Sequence, residues 1–433
     1  MPSSCRSTLA ALALFACGPT PGSDTTTDGS TTTATSSSDP IADTTTTGTP
    51  TTGTLTTGEP TASSDGDTTA ATTVDPTTTG VDPGTMSDTT TTSDSSTTDD
   101  GDCTVVEFAD PALEAAVRLG YGLPPGPIAG DALTGPGGIN VHKFEQGSLT
   151  DLTGLECVTG VSFLGLAGHE ALTDISRIAG LTKLEWLELS GTAVTDLSPV
   201  AGLTALKHLD AGGIPATDYS PLAGLSALEE LGLQTSPISD LSPLQGLTAL
   251  RRLGLGDTLA ADLSPLAGLV LLEDLDLVIS DVTDLGPLAG LPALVRLDLT
   301  GTAISDLGPL ASVPKLERLF VTDTKVADLS PLTGLPILYL VANSCEITDL
   351  SPIASFPTPE VIDLRDNMIV EVDALASVDW MAPEDTCAQL LLAGNPLSAT
   401  AQQLLPDMCD VTGVSFEADG LQCITEACVP PGP

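Results

Sequence analysis

Apolar and polar positions alternate along most of this chain in a pattern that repeats every 22 residues. Each unit contains a phrase such as Leu184-Glu-Trp-Leu187-Glu-Leu189, in which Leu187 and Leu189 point to one side, as in a short strand. A second phrase follows, for example Asp240-Leu-Ser-Pro-Leu-Gln-Gly-Leu247. Its opening aspartate recurs at positions 174, 196, 218, 240, 262, 284, 306 and 328, with looser copies at Asp151, Asp349 and Asp373. These eleven copies predict a solenoid.

The second phrase predicts a tight return between strands. Ser198 before Pro199 suits a helix start, because a serine side chain can accept an amide hydrogen bond and proline needs no amide donor there. Gly202 is predicted to adopt the positive φ that ends a single helical turn. Acidic residues such as Asp196 and Asp218 recur with the repeat, which favours a turn-capping role. One unit cannot bury its own leucines, so neighbouring units must stack.

The L-x-x-L-x-L phrase at this period resembles the leucine-rich repeat family, and the D-L-S-P-L-x-G-L return resembles its bacterial internalin-type subgroup. The resemblance covers roughly residues 104–420. It implies an α/β solenoid, a horseshoe with short parallel strands on its concave face, 3₁₀ or short helical returns, and a cap at each end. The family usually places Asn at the turn after the strand. Here that column is mostly Ser or Thr, which can replace Asn in part, whereas Ile214 predicts a water bridge or a local distortion.

The sequences on either side of the repeats predict the caps. Asp110 suits a helix N-cap, Pro111 the first helical position and Gly120 the helix end. This segment, with its apolar Leu113, Ala116 and Val117, resembles the N-terminal helical cap of internalin-type proteins. From Gly122 to Gly147 the abundant Pro and Gly predict only loop. At the other end we expect a strand and turn over 387–397, a helix over 399–408 and a strand over 414–416.

Upstream of the caps the composition changes abruptly. Residues 18–102 contain 14 Asp or Glu and no Lys or Arg, and are otherwise mainly Thr, Ser, Gly and Pro. Such a stretch buries too little apolar surface to offset chain entropy, which predicts a disordered tether. Its Thr-rich runs are either glycosylated stalks or a plain solvated spacer. The apolar run from Leu9 to Ala16 follows Arg6 and is too short to span a bilayer, which indicates a signal-peptide core.

Leu14-Phe-Ala-Cys17 resembles a bacterial lipobox. The resemblance implies cleavage before Cys17 and lipid attachment to it, and Gly18 at the next position implies sorting to the outer membrane. The alternative is a soluble secreted protein in which Cys17 is incidental. The predicted division is a signal peptide at 1–16, a tether at 17–102, an N-terminal cap at 103–148, leucine-rich repeats at 149–386, and a last repeat with C-terminal cap at 387–433.

Nine cysteines in an exported chain indicate disulfides. Cys5 leaves with the signal peptide and Cys17 takes the lipid. The six candidates for disulfides bracket the two ends of the folded part. Cys103 and Cys157 flank the N-terminal cap, Cys387 and Cys409 flank the C-terminal cap, and Cys423 and Cys428 form a close pair in the tail. The sequence leaves their connectivity open. Cys345 remains, at an interior turn, and predicts a buried thiol.

Charge and motif content exclude several functions. The net charge is −45, and from residue 103 onward there are 44 acidic and 12 basic residues. This balance argues against nucleic acid or anionic lipid as a partner and is compatible with a cationic one. The three histidines form no spaced pair, and no G-x-S-x-G, P-loop, H-E-x-x-H or Cys-His arrangement occurs. The sequence therefore predicts no enzyme, no cofactor and no metal site.

The outward strand positions are the candidate binding surface, since Arg and aromatic residues are over-represented in binding hot spots. Neighbouring strands lie about 4.8 Å apart, which predicts an alternating charge ladder from Arg252 to Arg296 and an aromatic and basic cluster around Arg318. The alternative is cross-strand pairing that only stabilises the sheet. The candidate ligand-binding residues of the concave face are Trp186, Arg252, Asp274, Arg296, Asp298, Arg318, Phe320 and Tyr339.

These patterns favour a non-enzymatic, adhesin-like or receptor-like module on the bacterial cell envelope. We expect a monomer, anchored in the outer membrane only through its lipid, held at the cell surface by the tether. Its partner would be a protein or, as a second option, a glycan. The alternative hypothesis is a structural envelope protein, in which the array is an acidic spacer without a specific ligand.

Overall fold

The computed structural model describes residues 103–141, 148–380, 388–412 and 414–423, with the side chains of 410–412 left aside. The predicted signal peptide, lipobox and tether lie outside the described residues, as do Cys387 and Cys428. Within the described ranges no helix has both the length and the apolar character needed to cross a bilayer.

Each repeat contributes one strand to a long sheet. Neighbouring strands run parallel from the first to the thirteenth, and the last pair is antiparallel. In chain order the strands of this sheet are β3 (Gly137–Asn140), β4 (Val161–Gly165), β5 (Trp186–Glu188), β6 (His208–Asp210), β7 (Glu230–Gly232), β8 (Arg252–Gly254), β9 (Asp274–Asp276), β10 (Arg296–Asp298), β11 (Arg318–Phe320), β12 (Tyr339–Val341), β13 (Val361–Asp363), β14 (Gln389–Leu391), β15 (Ser415–Ala418) and β16 (Leu421–Cys423).

A 3₁₀ turn returns the chain between most successive strands, as the repeat predicts. Leu187 and Leu189 are fully buried, and their counterparts in the other coils join them in one continuous core. The turns are Leu155–Cys157, Ser176–Ile178, Ser198–Val200, Ser220–Gly224, Ser242–Leu244, Ser264–Leu266, Gly286–Leu288, Gly308–Ser312, Ser330–Leu332, Ser351–Ser355 and Asp373–Ser377.

The repeated aspartate, rather than the serine, caps the nine returns from Asp174 to Asp349. Asp196 Oδ1 accepts the amide of Ser198 at 2.8 Å, and Oδ2 accepts the Ser198 hydroxyl at 2.9 Å. The prediction that the serine accepts the capping bond was wrong, whereas the capping role of the aspartates is confirmed and recurs at Asp218. The amide and hydroxyl of Ser242 likewise hold the pKa of Asp240 below its ordinary value.

The glycine after the turn adopts a positive φ only where a proline follows it closely. The prediction was wrong for Gly202, whose φ is not positive and whose carbonyl accepts the amide of Thr204 at 3.0 Å. In the two units that combine this glycine with proline at the position of Thr204, the glycines have φ of 78° (Gly290) and 79° (Gly334). Proline has no N–H to donate, so this bond is lost and the glycine adopts the left-handed conformation.

Hydroxyl groups fill most of the turn column that the family fills with Asn. Five of them donate to the carbonyl three residues earlier at 2.7 Å: Thr192, Thr258, Ser280, Thr302 and Thr324. Ile214 is buried and offers no such donor. β6 nevertheless keeps its register with β5 and β7, so the strand pairing shows no distortion there.

In the first coil this column holds His169, which is fully buried. Its Nδ1 accepts the amide of Leu149 at 3.0 Å, and its Nε2 bonds the carbonyl of Val141 at 2.9 Å. An amide can only donate, so the ring must be neutral with its proton on Nε2. His169 therefore performs the donor and acceptor work of an Asn side chain.

The N-terminal cap contains helix α1 (Pro111–Tyr121) between the antiparallel strands β1 (Val105–Val106) and β2 (Ile128–Ala129). Asp110 caps α1 as predicted, its Oδ1 accepting the amide of Ala112 at 2.7 Å. The predicted apolar face is confirmed by the burial of Leu113, Ala116 and Val117.

Gly120 does not end the helix; Gly122 does, in a left-handed conformation with φ 63°. Gly120 instead lies against β3, where an added Cβ would stand 2.0 Å from the carbonyl oxygen of Gly138. The prediction of loop from Gly122 to Gly147 missed β2 and β3. The strand pattern of β3 is hidden because Gly137 and Gly138 occupy half of it.

The C-terminal cap consists of α2 (Ala399–Thr412) and the hairpin β15–β16. The hairpin turns at Gly420 (φ 74°) and returns Cys423 to α2, where it is bonded to Cys409 with the Cα atoms 6.4 Å apart. The connectivity that the spacing left open thus joins Cys409 to Cys423, not to Cys387, and Cys423 is not bonded to Cys428. At the other cap Cys103 and Cys157 are bonded, with Cα atoms 5.5 Å apart. Cys345 is a buried free thiol, as predicted.

Candidate binding face

The outward side of the sheet, here called the open face, carries two columns of side chains with the register that the sequence predicts. Along the first column each residue pairs directly with its counterpart on the next strand: Phe163, Trp186, His208, Glu230, Arg252, Asp274, Arg296, Arg318, Tyr339 and Val361. The second column includes Glu188, Asp298 and Phe320. All eight candidate residues therefore lie on this face.

Three rings form an aromatic ladder across β4, β5 and β6. The rings of Trp186 and His208 stack with centroids 3.6 Å apart, and Phe163 lies 6.1 Å from Trp186 on the other side. Trp186 Nε1 donates to Glu188 Oε1 at 2.9 Å, and His208 Nδ1 lies 3.0 Å from Glu230 Oε2. Trp186 remains 37% exposed, so its ring edge is available to a partner.

The alternating charge ladder predicted from Arg252 to Arg296 is broken in the structure. Arg252 turns away from Asp274 and pairs with Glu230 on the preceding strand. Arg296 bonds Asp274 and Asp298, both at 2.9 Å. Each arginine of the predicted ladder thus has its own carboxylate partner and offers little free charge.

The predicted aromatic and basic cluster divides into two cation–π pairs. The guanidinium of Arg296 lies 5.0 Å from the ring centre of Phe320, and that of Arg318 lies 4.7 Å from the ring centre of Tyr339. Phe320 is only 8% exposed, so it supports Arg296 and is not itself a contact surface. The Tyr339 hydroxyl donates to Glu360, and burial, with that hydrogen bond, raises the pKa of Tyr339 to about 12.

Arg318 differs from the other arginines of the described residues. Each of the others has a carboxylate within 4.0 Å. Arg318 has none among the described residues, and its guanidinium lies over the Tyr339 ring. A guanidinium that is stacked but not paired keeps its five N–H donors available for a planar acceptor.

Several residues of this face were not predicted as site residues. His208 lies next to Trp186 in the first column, and the register alone could have identified it as a stacking partner. Glu230 belongs to the same column. Glu360 precedes its strand, so neither alternation nor register signals its contact with Tyr339. Among the described residues no group of three or more His, Cys, Asp or Glu is placed to hold a metal ion.

Comparison with known proteins identifies the fold. No protein-family model matches the sequence, and no curated protein matches it. Among solved structures, an internalin (inlF) from Listeria monocytogenes is 25% identical, with a TM-score of 0.64 over 71% of this chain and 88% of that one. Internalin C2 from the same species is 32% identical over 54% of this chain and 93% of that one, with a TM-score of 0.42.

A leucine-rich repeat protein from Leptospira interrogans is 16% identical over 61% of this chain and 85% of that one, with a TM-score of 0.46. The likeness to the first internalin, together with the parallel sheet and its 3₁₀ returns, shows a leucine-rich repeat solenoid.

Proposed function

We propose that this leucine-rich repeat chain binds a protein partner through the open face, without catalysis. The observation that carries the proposal is the unpaired guanidinium of Arg318, held over the Tyr339 ring. In a chain of net charge −45, an arginine that has no carboxylate partner among the described residues is suited to receive one from outside.

The face gives a partner two contact regions of different chemistry. The aromatic ladder offers the exposed edge of Trp186, bordered by the carboxylates Glu188 and Glu230. Six strands beyond Trp186, on β11, Arg318 offers a cation that rests on the ring of Tyr339. Aromatic and arginine side chains are over-represented in binding hot spots. A guanidinium that already rests on an aromatic ring has less conformational freedom left to lose on binding than a free one.

The decisive variant is Arg318→Ala with Trp186→Ala in the full chain. We expect each single change to weaken capture of the partner by at least about tenfold and the double change to abolish it, because truncating a hot-spot residue typically costs about 2 kcal/mol or more. The measurement is affinity capture from host or neighbouring-cell surface extracts with cross-linking and mass spectrometry, followed by titration of the identified partner.

Arg177→Ala is the matched control, because Arg177 is an exposed arginine on a return turn, paired with Glu156 at 3.4 Å. It should leave binding unchanged, and all four variants should keep the wild-type melting temperature. If the open-face changes alter only stability while the same protein is still captured, the face is structural. The array then acts as an acidic spacer, which is the alternative function.

The predicted location completes the proposal: lipid on Cys17 anchors the chain in the outer membrane, and the acidic tether carries the repeats to the cell surface. The support is the lipobox-like Leu14-Phe-Ala-Cys17 and the composition of residues 18–102. Protease added to intact cells is expected to release the repeat domain, and Cys17→Ser should shift the chain from the membrane to the soluble fraction. Protection of the repeats until the outer membrane is broken would place them in the periplasm instead.

A further inference from the structure

Each coil from β4 to β14 turns a corner where the chain leaves its strand, and the residue at that corner has a positive φ. Most of these residues tolerate the left-handed conformation because they are glycine or short and polar. The corner residues are Gly168, Gly191, Gly213, Thr235, Asp257, Ile279, Gly301, Asp323, Ser344, Asp366 and Gly394.

Ile279 is the exception, a β-branched apolar residue with φ 56°. A left-handed conformation is strained for such a side chain. Thr235, also β-branched, has a compensating hydrogen bond from its hydroxyl to the carbonyl of Gln234 at 2.7 Å. Ile279 has no group that could make such a bond. Its Cγ1 would lie 3.1 Å from a Cβ at Gly301, so the bare backbone of the next coil gives it room.

The strain at Ile279 is not offset by burial. Its side chain is 61% exposed, and Leu259 on the preceding coil is 59% exposed. Because Gly254 pairs with Asp276, the same register sets Asp257 beside Ile279 and Leu259 beside Asp281. Leu259 and Ile279, here called the rim patch, are thus each flanked by an exposed aspartate at the end of the strands.

The two flanking aspartates leave the patch with uncompensated negative charge. Neither Asp257 nor Asp281 has a basic side chain within 4.0 Å in the described part of the chain. The arginines of the neighbouring strands are held elsewhere, Arg252 by Glu230 and Arg296 by Asp274 and Asp298. An occupant of the patch must therefore bring apolar surface and positive charge together.

Charge complementarity decides between the possible occupants. Residues 18–102 contain 14 acidic residues and no Lys or Arg, which disfavours the chain's own tether. A second copy of the chain is disfavoured as well, because each copy has a net charge of −45 and like charges in contact oppose association.

We infer that the rim patch is a docking site for a partner protein segment that carries a Lys or Arg next to a large apolar residue. The apolar side chain packs on Leu259 and Ile279, and the basic group lies between Asp257 and Asp281. The inference rests on the proposed protein-binding function and adds to the open face a second contact region, with the opposite charge preference to Arg318.

A phage-displayed random peptide library panned on the immobilised full chain tests the inference. We expect the selected peptides to pair Lys or Arg with Leu, Ile, Phe or Trp. Their affinity should fall at least about tenfold, at constant salt, on Leu259→Asn with Ile279→Asn, and also on Asp257→Asn with Asp281→Asn. Leu119→Asn is the control for loss of an exposed leucine, since Leu119 is 83% exposed on α1, and it should leave affinity unchanged.

Ile279→Asn has a second expected readout, independent of any ligand. Asn tolerates the left-handed region far better than Ile, so this variant should raise the urea midpoint while it weakens peptide binding. A lowered midpoint would show that Ile279 contributes to folding, and would overturn the argument from strain.

The remaining outcomes separate this inference from the proposed function. Peptides that bind the rim variants as well as wild type, or that are mainly acidic, overturn the inference. If those peptides lose affinity on Arg318→Ala, the open face still binds and the proposed function stands. If panning yields no peptide that depends on either surface, the rim inference fails, and the proposed function then depends on the capture experiment alone.

Discussion

Gly120→Ala is expected to lower the free energy of unfolding of the N-terminal cap by about 3 kcal/mol, at the upper end of what overpacking usually costs. A Cβ at this position would lie 2.0 Å from the carbonyl oxygen of Gly138. The obstructing atom belongs to the backbone of β3, so no side-chain rotation can relieve the overlap. Helix α1 would have to move away from the first strand of the sheet and expose the leucines beneath. Urea denaturation and hydrogen exchange in α1 measure the loss.

Gly122→Ala is the matched control two residues further on. Gly122 has φ 63° and nothing within 4 Å of an added Cβ, so its substitution carries only the left-handed penalty, about 1 kcal/mol. The prediction is therefore that Gly120→Ala lowers the free energy of unfolding by more than Gly122→Ala does. Equal losses from the two substitutions would show that close contact with β3 does not hold the cap in place.

Replacing Cys103 and Cys157 together with serine is expected to destabilise the same cap by about 4 kcal/mol. The bond closes a loop with a sequence separation of 54, and the entropy that a cross-link removes from the unfolded chain grows with loop length. The loop contains β1, α1, β2 and β3, so the bond ties the whole cap to the first repeat turn. Because a solenoid can unfold from one end, hydrogen exchange in α1 and β3 is the appropriate measurement.

Cys409→Ser with Cys423→Ser is the comparison, because that bond has a sequence separation of only 14. The same entropy relation gives about 3 kcal/mol there, confined to the C-terminal cap. Exchange that accelerates in α1 for the first pair and in α2 for the second would match the expectation. Acceleration at both ends from either pair would mean that the array unfolds as one cooperative unit.

The repeat architecture was predictable because the 22-residue repeat and the two-residue alternation within each strand lead to the same arrangement. The 22-residue spacing sets where each strand falls, and the alternation within each strand sets which side chain points outward. A shift of one residue in the pairing of the strands would have exposed the leucines, so no alternative register was plausible. The same reasoning placed Trp186 and Arg318 on the open face.

Side-chain choices on that face were not predictable from register. Arg252 lies between Glu230 and Asp274 in the column, and both carboxylates are one strand away. Register cannot decide which of them a long, flexible side chain will take, and in the structure it takes Glu230. The strand β3 was missed for a different reason: Gly137 and Gly138 have no side chains to form an alternating pattern, although both pair with β4.

The repeated corner gives this fold an unusual freedom to vary. Each corner residue faces solvent outside the leucine core, and its backbone conformation is imposed by the coils on either side. A substitution at an exposed corner can therefore install a new side chain without repacking the interior, at the cost of a modest local strain. Ile279 shows that the array tolerates such a change, so a lineage of these proteins could acquire new recognition properties corner by corner while the scaffold stays the same.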